Sequence, residues 1–113
     1  MEHEMKVQET CFLAMKNGTK IIEPRLLDQK RKMVKVGDKI IFHNQKDLSD
    51  SIIANVVALK KFKTFTDLVD HYSIKDLYNE STTKNAYLTL LKSFYTVEEE
   101  KKFGVIAIEI KLA

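Results

Sequence analysis

Polar and apolar residues alternate from the first positions of the chain: Met5 and Val7 share one side of the run His3 to Val7, a two-residue period that predicts a short strand. From Glu9 the spacing becomes helical. Phe12, Leu13 and Lys16 fall on adjacent turns, with Thr10 as the expected cap and Asn17-Gly18 as the stop, glycine suiting the left-handed position that ends many helices. A strand is then predicted from Thr19 to Leu26. Its side chains alternate faces, so Glu23 and Arg25 project one way while Lys20, Ile22 and Pro24 project the other. A strand built only for packing carries apolar residues where this one carries Glu23 and Arg25, so the segment is expected to face a cavity or a ligand.

Asp28 to Lys32 is polar and basic, and leads through Met33 to Val36 into a tight turn at Gly37-Asp38. Lys39 to His43 is rich in strand formers and Asn44 to Ser49 reads as a polar loop. Ser51 to Leu59 reads as a long strand continuing through Phe62, so the two runs form a hairpin. Helical spacing returns with Phe65, Leu68, Val69 and Tyr72 behind a cap at Thr64 or Thr66, and Ile74, Leu77 and Tyr78 extend that face after a break. Ser81-Thr82-Thr83 offers caps for a further helix with Ala86, Tyr87, Leu90, Leu91 and Phe94 on one stripe. In Val97 to Lys102 the acids Glu98-Glu99-Glu100 precede Lys101-Lys102, the order a helix dipole favours. The closing run Gly104 to Leu112 is apolar on both faces at its start, as a central strand is. Strands segregated from helices predict an α+β domain with a mostly antiparallel, curved sheet covered by helices.

Length and composition narrow the reading. The 113 residues suffice for one domain, 1–113, with one hydrophobic core, and a 44% hydrophobic and 31% charged composition is that of an ordinary globular chain. The 19 Lys and Arg against 16 Asp and Glu leave a formal charge of +3, which permits phosphate binding without demanding it. Lys30, Arg31, Lys32 and Lys35, with Lys60, Lys61 and Lys63, would attract a phosphate backbone only if the fold gathered them on one side. Cys11 is the single cysteine, flanked by Phe12 and Leu13, and reads as a small buried hydrophobe. The charged N-terminus has no apolar run behind it and no stretch reaches the length of a membrane span, so a cytoplasmic location and no membrane partner are expected.

Among candidate chemistries, His3, His43 and His71 share no ligand spacing with Cys11 or with one another, so no metal and no cofactor are expected. His43, at a strand end beside a loop, is the one histidine with a site-like position. There is no Ser-His-Asp order and no glycine-rich phosphate loop. Lys20, Glu23 and Arg25 offer a mobile cation, a carboxylate that accepts from an exocyclic amine, and a planar fork of donors; together they could hold a nucleotide or an RNA base. Tyr95, one position off the helical stripe, could stack on that base, whereas Tyr87 and Phe94 are assigned to the core.

The helix stop Asn17-Gly18, the segment Gly18-Thr19-Lys20-Ile21-Ile22-Glu23-Pro24-Arg25, the turn Gly37-Asp38 before Ile40-Ile41-Phe42, and the closing Tyr95, Glu99-Glu100 and Phe103-Gly104-Val105 resemble the ASCH domain over nearly the whole chain. The shared core is G-x-K-x-x-E-x-R followed by G-D. The resemblance implies a PUA-like β-barrel with helices across its openings, a cleft lined by Lys20, Glu23 and Arg25, and association with RNA or a nucleotide. One branch of the superfamily consists of small bacterial amidohydrolases that deacetylate N4-acetylcytidine. Their site comprises the motif lysine, a threonine three residues on and a glutamate ahead of the last helix. Lys20 matches the lysine and Glu80 the glutamate, while Glu23 stands in the threonine position, where a carboxylate cannot replace a hydroxyl nucleophile. If the chain is an enzyme of that kind or a ribonuclease, the resemblance makes Lys20, Glu23 and Glu80 its catalytic set.

Overall fold

The computed structural model describes residues 1–113. Its elements run β1 (Glu2–Val7), α1 (Glu9–Lys16), β2 (Ile22–Leu26), α2 (Gln29–Lys32), β3 (Lys39–Asn44), β4 (Asp47–Phe62), α3 (Phe65–His71), α4 (Ile74–Leu77), α5 (Lys84–Phe94), α6 (Val97–Phe103) and β5 (Val105–Leu112). The five strands form one sheet in the order β1-β3-β4-β5-β2, parallel only between β1 and β3. This sheet curls into a half-barrel whose two edges are β1 and β2, and six helices cover it. The α+β, mostly antiparallel architecture expected from the residue pattern is the one observed.

The two-sidedness of β5 organises the interior. Ile106, Ile108 and Ile110 join β1, β3, β4 and α1 in one apolar cluster with Met5, Phe12, Met15 and Phe42. Val105 and Ala107 face the other way, into a second cluster with Ile22 and Leu26 of β2 and Phe65, Leu68, Leu77, Tyr87 and Leu91 of the helices. The period of two thus delivers one strand to two cores. Burial on this scale, at roughly 25 cal/mol per Å² of apolar surface, supplies the drive that holds helices to sheet.

Local chemistry sets the element ends, with some departures from the expected positions. α1 is preceded by Gln8, with no side-chain cap, rather than by Thr10. Leu13 of that helix is exposed, and Phe12, Ala14 and Met15 are the residues it buries. The polar loop at 44–49 shrinks to a tight turn because β4 begins at Asp47, whose carboxylate accepts from the amide and hydroxyl of Ser49. Thr64, Ser73, Thr83 and Thr96 cap α3, α4, α5 and α6. Of the three acids opening α6, Glu100 turns inward, and its Oε1 accepts from the Phe65 amide at 2.8 Å, tying the start of α3 to α6. The sequence places Glu100 on a solvated helix end; the fold uses it as a buried acceptor for an amide that would otherwise lack a partner.

Gly104 joins α6 to β5 at φ 71° and ψ −174°, backbone angles that only glycine occupies without strain, and a Cβ there would lie 3.3 Å from the Phe62 carbonyl oxygen. Gly104→Ala is therefore expected to destabilise the fold by about 2 kcal/mol, seen as a melting temperature lower by roughly 5–10 °C. Gly18, at φ 85° with open space around it, is the comparison: Gly18→Asn should lower the melting temperature less, since asparagine tolerates the left-handed region and no atom crowds its Cβ.

Candidate functional site

The site grows from the turn after α1. Asn17 and Gly18 hold the chain in a turn, the Asn17 side chain accepting from the Thr19 amide at 2.9 Å, so β2 starts at Ile22 and not at Thr19. The strict alternation that would put Lys20 on the face opposite Glu23 does not apply. The Lys20 side chain instead folds beneath Glu23, fully buried, with Nζ donating to the carbonyl oxygens of Ile22 and Leu77 (2.6 Å for the latter) and lying 3.3 Å from Glu23 Oε1. The Tyr87 hydroxyl completes its surroundings at 3.4 Å.

Glu23 is bracketed by two cations. Its Oε2 accepts from Arg25 Nε at 2.7 Å, and Arg25 Nη2 reaches across the open seam of the half-barrel to the Lys6 carbonyl oxygen at 2.8 Å. Burial by itself pushes the Glu23 carboxyl up, but Arg25 and Lys20 outweigh it and hold the group below its usual range. Burial likewise works against the Arg25 charge, and the Glu23 carboxylate more than offsets it, so the guanidinium is held more firmly charged.

Glu23 and Arg25 line a cleft of about 210 Å³ between the β1–α1 junction and α5. Tyr87, Phe94 and Tyr95 give it aromatic walls, and Lys6, Gln8 and Gln45 its polar rim. Tyr95 is fixed by stacking on Phe65 at 5.0 Å between ring centres, and Tyr87 by stacking on Tyr78 at 5.3 Å. Burial raises the phenols of Tyr95 and, further, of Tyr87. Phe94, assigned to the core from its helical spacing, is 53% exposed and stands at the cleft mouth; α5 buries only Tyr87 and Leu91. Cys11 also reaches the cleft, but burial pushes its thiol up to about 11, which leaves it protonated and unreactive.

The remaining candidates lie elsewhere. Lys20 is under the cleft and not in its lining. His43 lines a neighbouring depression with Lys6, Arg25, Lys30 and Arg31, its Nε2 2.8 Å from Glu4 Oε1 and its Nδ1 3.2 Å from the Leu48 carbonyl oxygen. Glu80 is exposed and borders a separate hollow with Asn17, Gly18 and Asp76, apart from the lining of Glu23. No group of three His, Cys, Asp or Glu side chains comes together as a metal site, and no helix is long and apolar enough to cross a membrane. The residues missed by pattern alone, Lys6, Gln8 and Gln45, all sit at strand ends or turns, where polar side chains are the usual signal of a site.

Removing one partner of a buried ion pair leaves the other charge uncompensated, so Lys20→Met should cost about 3–5 kcal/mol in urea denaturation at neutral pH. The pH dependence has a definite sign. The folded pKa of Glu23 lies below the unfolded value of about 4.3, so its contribution is complete above that pH and is lost as pH falls through the folded value. Glu23→Gln should remove this part of the acid loss, which sets in as pH falls below the unfolded value. The part due to Asp38 should persist, since hydrogen bonds from His3, the Lys35 amide and the chain's amino terminus bring its carboxyl down to about 2.

The model of the ASCH domain family matches residues 5–113. No curated protein matches the chain. It is similar to the hypothetical protein PH0355, whose crystal structure superposes with a TM-score of 0.88 at 33% identity and 100% coverage of both chains. It is also similar to protein PF0455 of Pyrococcus furiosus, solved by NMR, with a TM-score of 0.77, 32% identity and coverage of 99% and 97%. A mutant of the ASCH protein of Zymomonas mobilis shares the fold at 13% identity, with a TM-score of 0.70 and coverage of 97% of this chain and 67% of the other. The chain therefore belongs to the ASCH domain family.

Proposed function

We propose that the cleft binds a nucleobase of RNA or of a free nucleotide, with Glu23 and Arg25 reading its polar edge and Phe94 and Tyr95 stacking on its face. The observation that carries this reading is a buried carboxylate, kept ionised by two cations, at the wall of a concave site with aromatic sides. Two oxygens held in place by Lys20 and Arg25 retain lone pairs to accept from an exocyclic amine, so the arrangement favours a base that carries one, as cytosine, adenine and guanine do and uracil does not. Phe94, half exposed at the mouth and edge-on to Tyr95, would supply a sequence-tolerant stacking surface. Lys30 and Arg31, in the depression that shares Lys6 and Arg25 with the cleft, would meet the phosphate of the same nucleotide, while both ring nitrogens of His43 are engaged by Glu4 and the Leu48 carbonyl oxygen. The RNA association implied by the family points the same way.

A hydrolase reading has less support. The Lys20 ammonium is engaged with two carbonyl oxygens and Glu23, so it has no free lone pair to act as a base, and Glu80 borders another hollow. Glu23 is the one carboxylate left for acid–base work, and it stands where a nucleophilic threonine would be needed.

Titration of the protein with cytidine, adenosine and uridine, followed by NMR shifts or calorimetry, tests the proposal. Saturable binding of cytidine or adenosine is expected, with weaker binding of uridine. Phe94→Ala should reduce affinity roughly 5–100-fold through the lost stacking, with only a small fall in melting temperature because the ring is about half exposed. Glu23→Gln should reduce it about tenfold or more. Absence of saturable binding by any nucleoside, or turnover of an acylated cytidine abolished in Glu23→Gln, would replace this reading.

A further inference from the structure

The basic residues scattered through the sequence are brought together by the fold. A groove of about 760 Å³ is walled by Arg31, Lys32 and Lys35 from the α2 region and by Lys60 and Lys61 from the end of β4; no carboxylate lines it. Its floor is apolar, with Leu27 and Ile106 among its residues. Lys32, Lys35, Lys60 and Lys61 take part in no ion pair. The Lys60 ammonium rests 5.8 Å from the Phe62 ring centre, and Arg31 is held through Nη1 by Asp28 at 3.0 Å while its buried Nε has no partner. Asp38, the nearest acid in sequence to Lys35, is committed to His3, the amino terminus and the Lys35 amide. A chain whose net charge is only +3 has thus placed five cations around one trough without acidic neighbours in its walls. Such a concentration of like charge raises the local potential and favours a polyanion.

The groove is linked to the cleft through shared side chains. Lys6 and Arg25 line both the cleft and the middle depression, and Arg31 lines both that depression and the groove. The acids beside this path are each engaged: Glu23 by Arg25 and Lys20, Glu4 by His43 and Asp28 by Arg31. We propose that this run is a track for the phosphodiester backbone of a single-stranded nucleic acid, which leaves the cleft over Lys6 and Arg25, crosses α2 at Arg31 and continues between Lys32, Lys35 and Lys61. The inference rests on the reading of the cleft as a base pocket. Single strands are specified because a base must be unstacked to enter that cleft, and lysine ammonium groups bind phosphates as point charges without reading sequence. The trough, several times larger than the cleft, suits an extended chain and not a second base.

Fluorescence anisotropy with cytidine- and adenine-containing oligonucleotides of one to about ten nucleotides, over a salt series, tests the track. Affinity should rise at least tenfold from the mononucleotide to the longer single strands, and a duplex of the same length should gain less. The triple variant Lys32→Ala, Lys35→Ala, Lys61→Ala should lose that gain while binding the free nucleoside as the parent does. Its salt slope should be shallower by about 2, at roughly 0.7 per phosphate contact on a single strand. A control triple of equal charge change away from the groove, Lys75→Ala, Lys84→Ala, Lys111→Ala, should keep both the gain and the slope. RNA and DNA arms separate use of the 2′-hydroxyl from backbone charge alone. Oligomers binding no tighter than the mononucleotide, a gain retained in the groove triple, or equal losses in the control would each overturn the track. A length-dependent gain lost in the groove triple, with no nucleoside binding in any protein, would instead leave the track standing and remove the base pocket.

Discussion

The Glu23 carboxylate, clamped between Lys20 and Arg25, is the interaction on which the architecture of this domain turns. A curled five-stranded sheet with β1 and β2 at its margins has a seam to manage. Arg25 bridges that seam from a β2 side chain to the main chain of β1 at Lys6, and it can do so because Glu23 holds its Nε. On the opposite side of the carboxylate, Lys20 ties the turn after α1 to the main chain of α4 at Leu77. Removing an ammonium and a carboxylate from water is costly, and the cost is offset here by the number of hydrogen bonds that each charge makes. One ionic cluster thereby joins β1, β2, α1 and α4.

The surrounding structure protects this cluster in ways that follow from strand position. β2 pairs only with β5, so Pro24 can sit within it without removing a ladder bond from a second neighbour, and its missing N–H makes that edge a poor template for another strand. Ile22 and Leu26 pin the same strand into the helical core, which leaves Glu23 and Arg25 to face the cleft. The aromatic wall is held from behind: Tyr95 stacks on Phe65, and Phe65 is anchored through its amide to Glu100. The aromatic wall is therefore built on packed side chains, with Phe94 as its exposed member.

Much of this was legible in the residues. The two-residue period of β1 and the two-faced β5, the cap positions offered at Thr64 or Thr66 and within Ser81-Thr82-Thr83, and the motif from Gly18 to Arg25 point to the fold. What escaped were effects of tertiary context. A turn at Asn17 and Gly18 delays the start of β2, so Lys20 leaves the strand's alternation and comes under Glu23. Helical spacing marks a stripe but not its width: Tyr87 and Leu91 fill it and Phe94 lies beyond its end. In a run of three glutamates nothing local singles out Glu100, because the amide it serves lies 35 positions away. The gathering of Arg31, Lys32, Lys35, Lys60 and Lys61 likewise depends on the α2 region and the end of β4 lining one groove, a juxtaposition no window of sequence contains.

The charges of this domain divide by whether a carboxylate answers them. Lys20 and Arg25 are answered by Glu23, are withdrawn from solvent, and set the shape of the cleft. Arg31 is half answered by Asp28 and stands at the junction of two basic surfaces. Lys32, Lys35 and Lys61 are answered by nothing in the chain. Buried, paired cations keep their effect on shape at any ionic strength, whereas exposed, unpaired ones act over a distance that salt shortens to about 10 Å at 0.1 M. A cleft built from the first kind and a groove built from the second respond differently to salt, so on the proposed reading recognition of a base and attraction of a backbone would be separable within a single 113-residue chain.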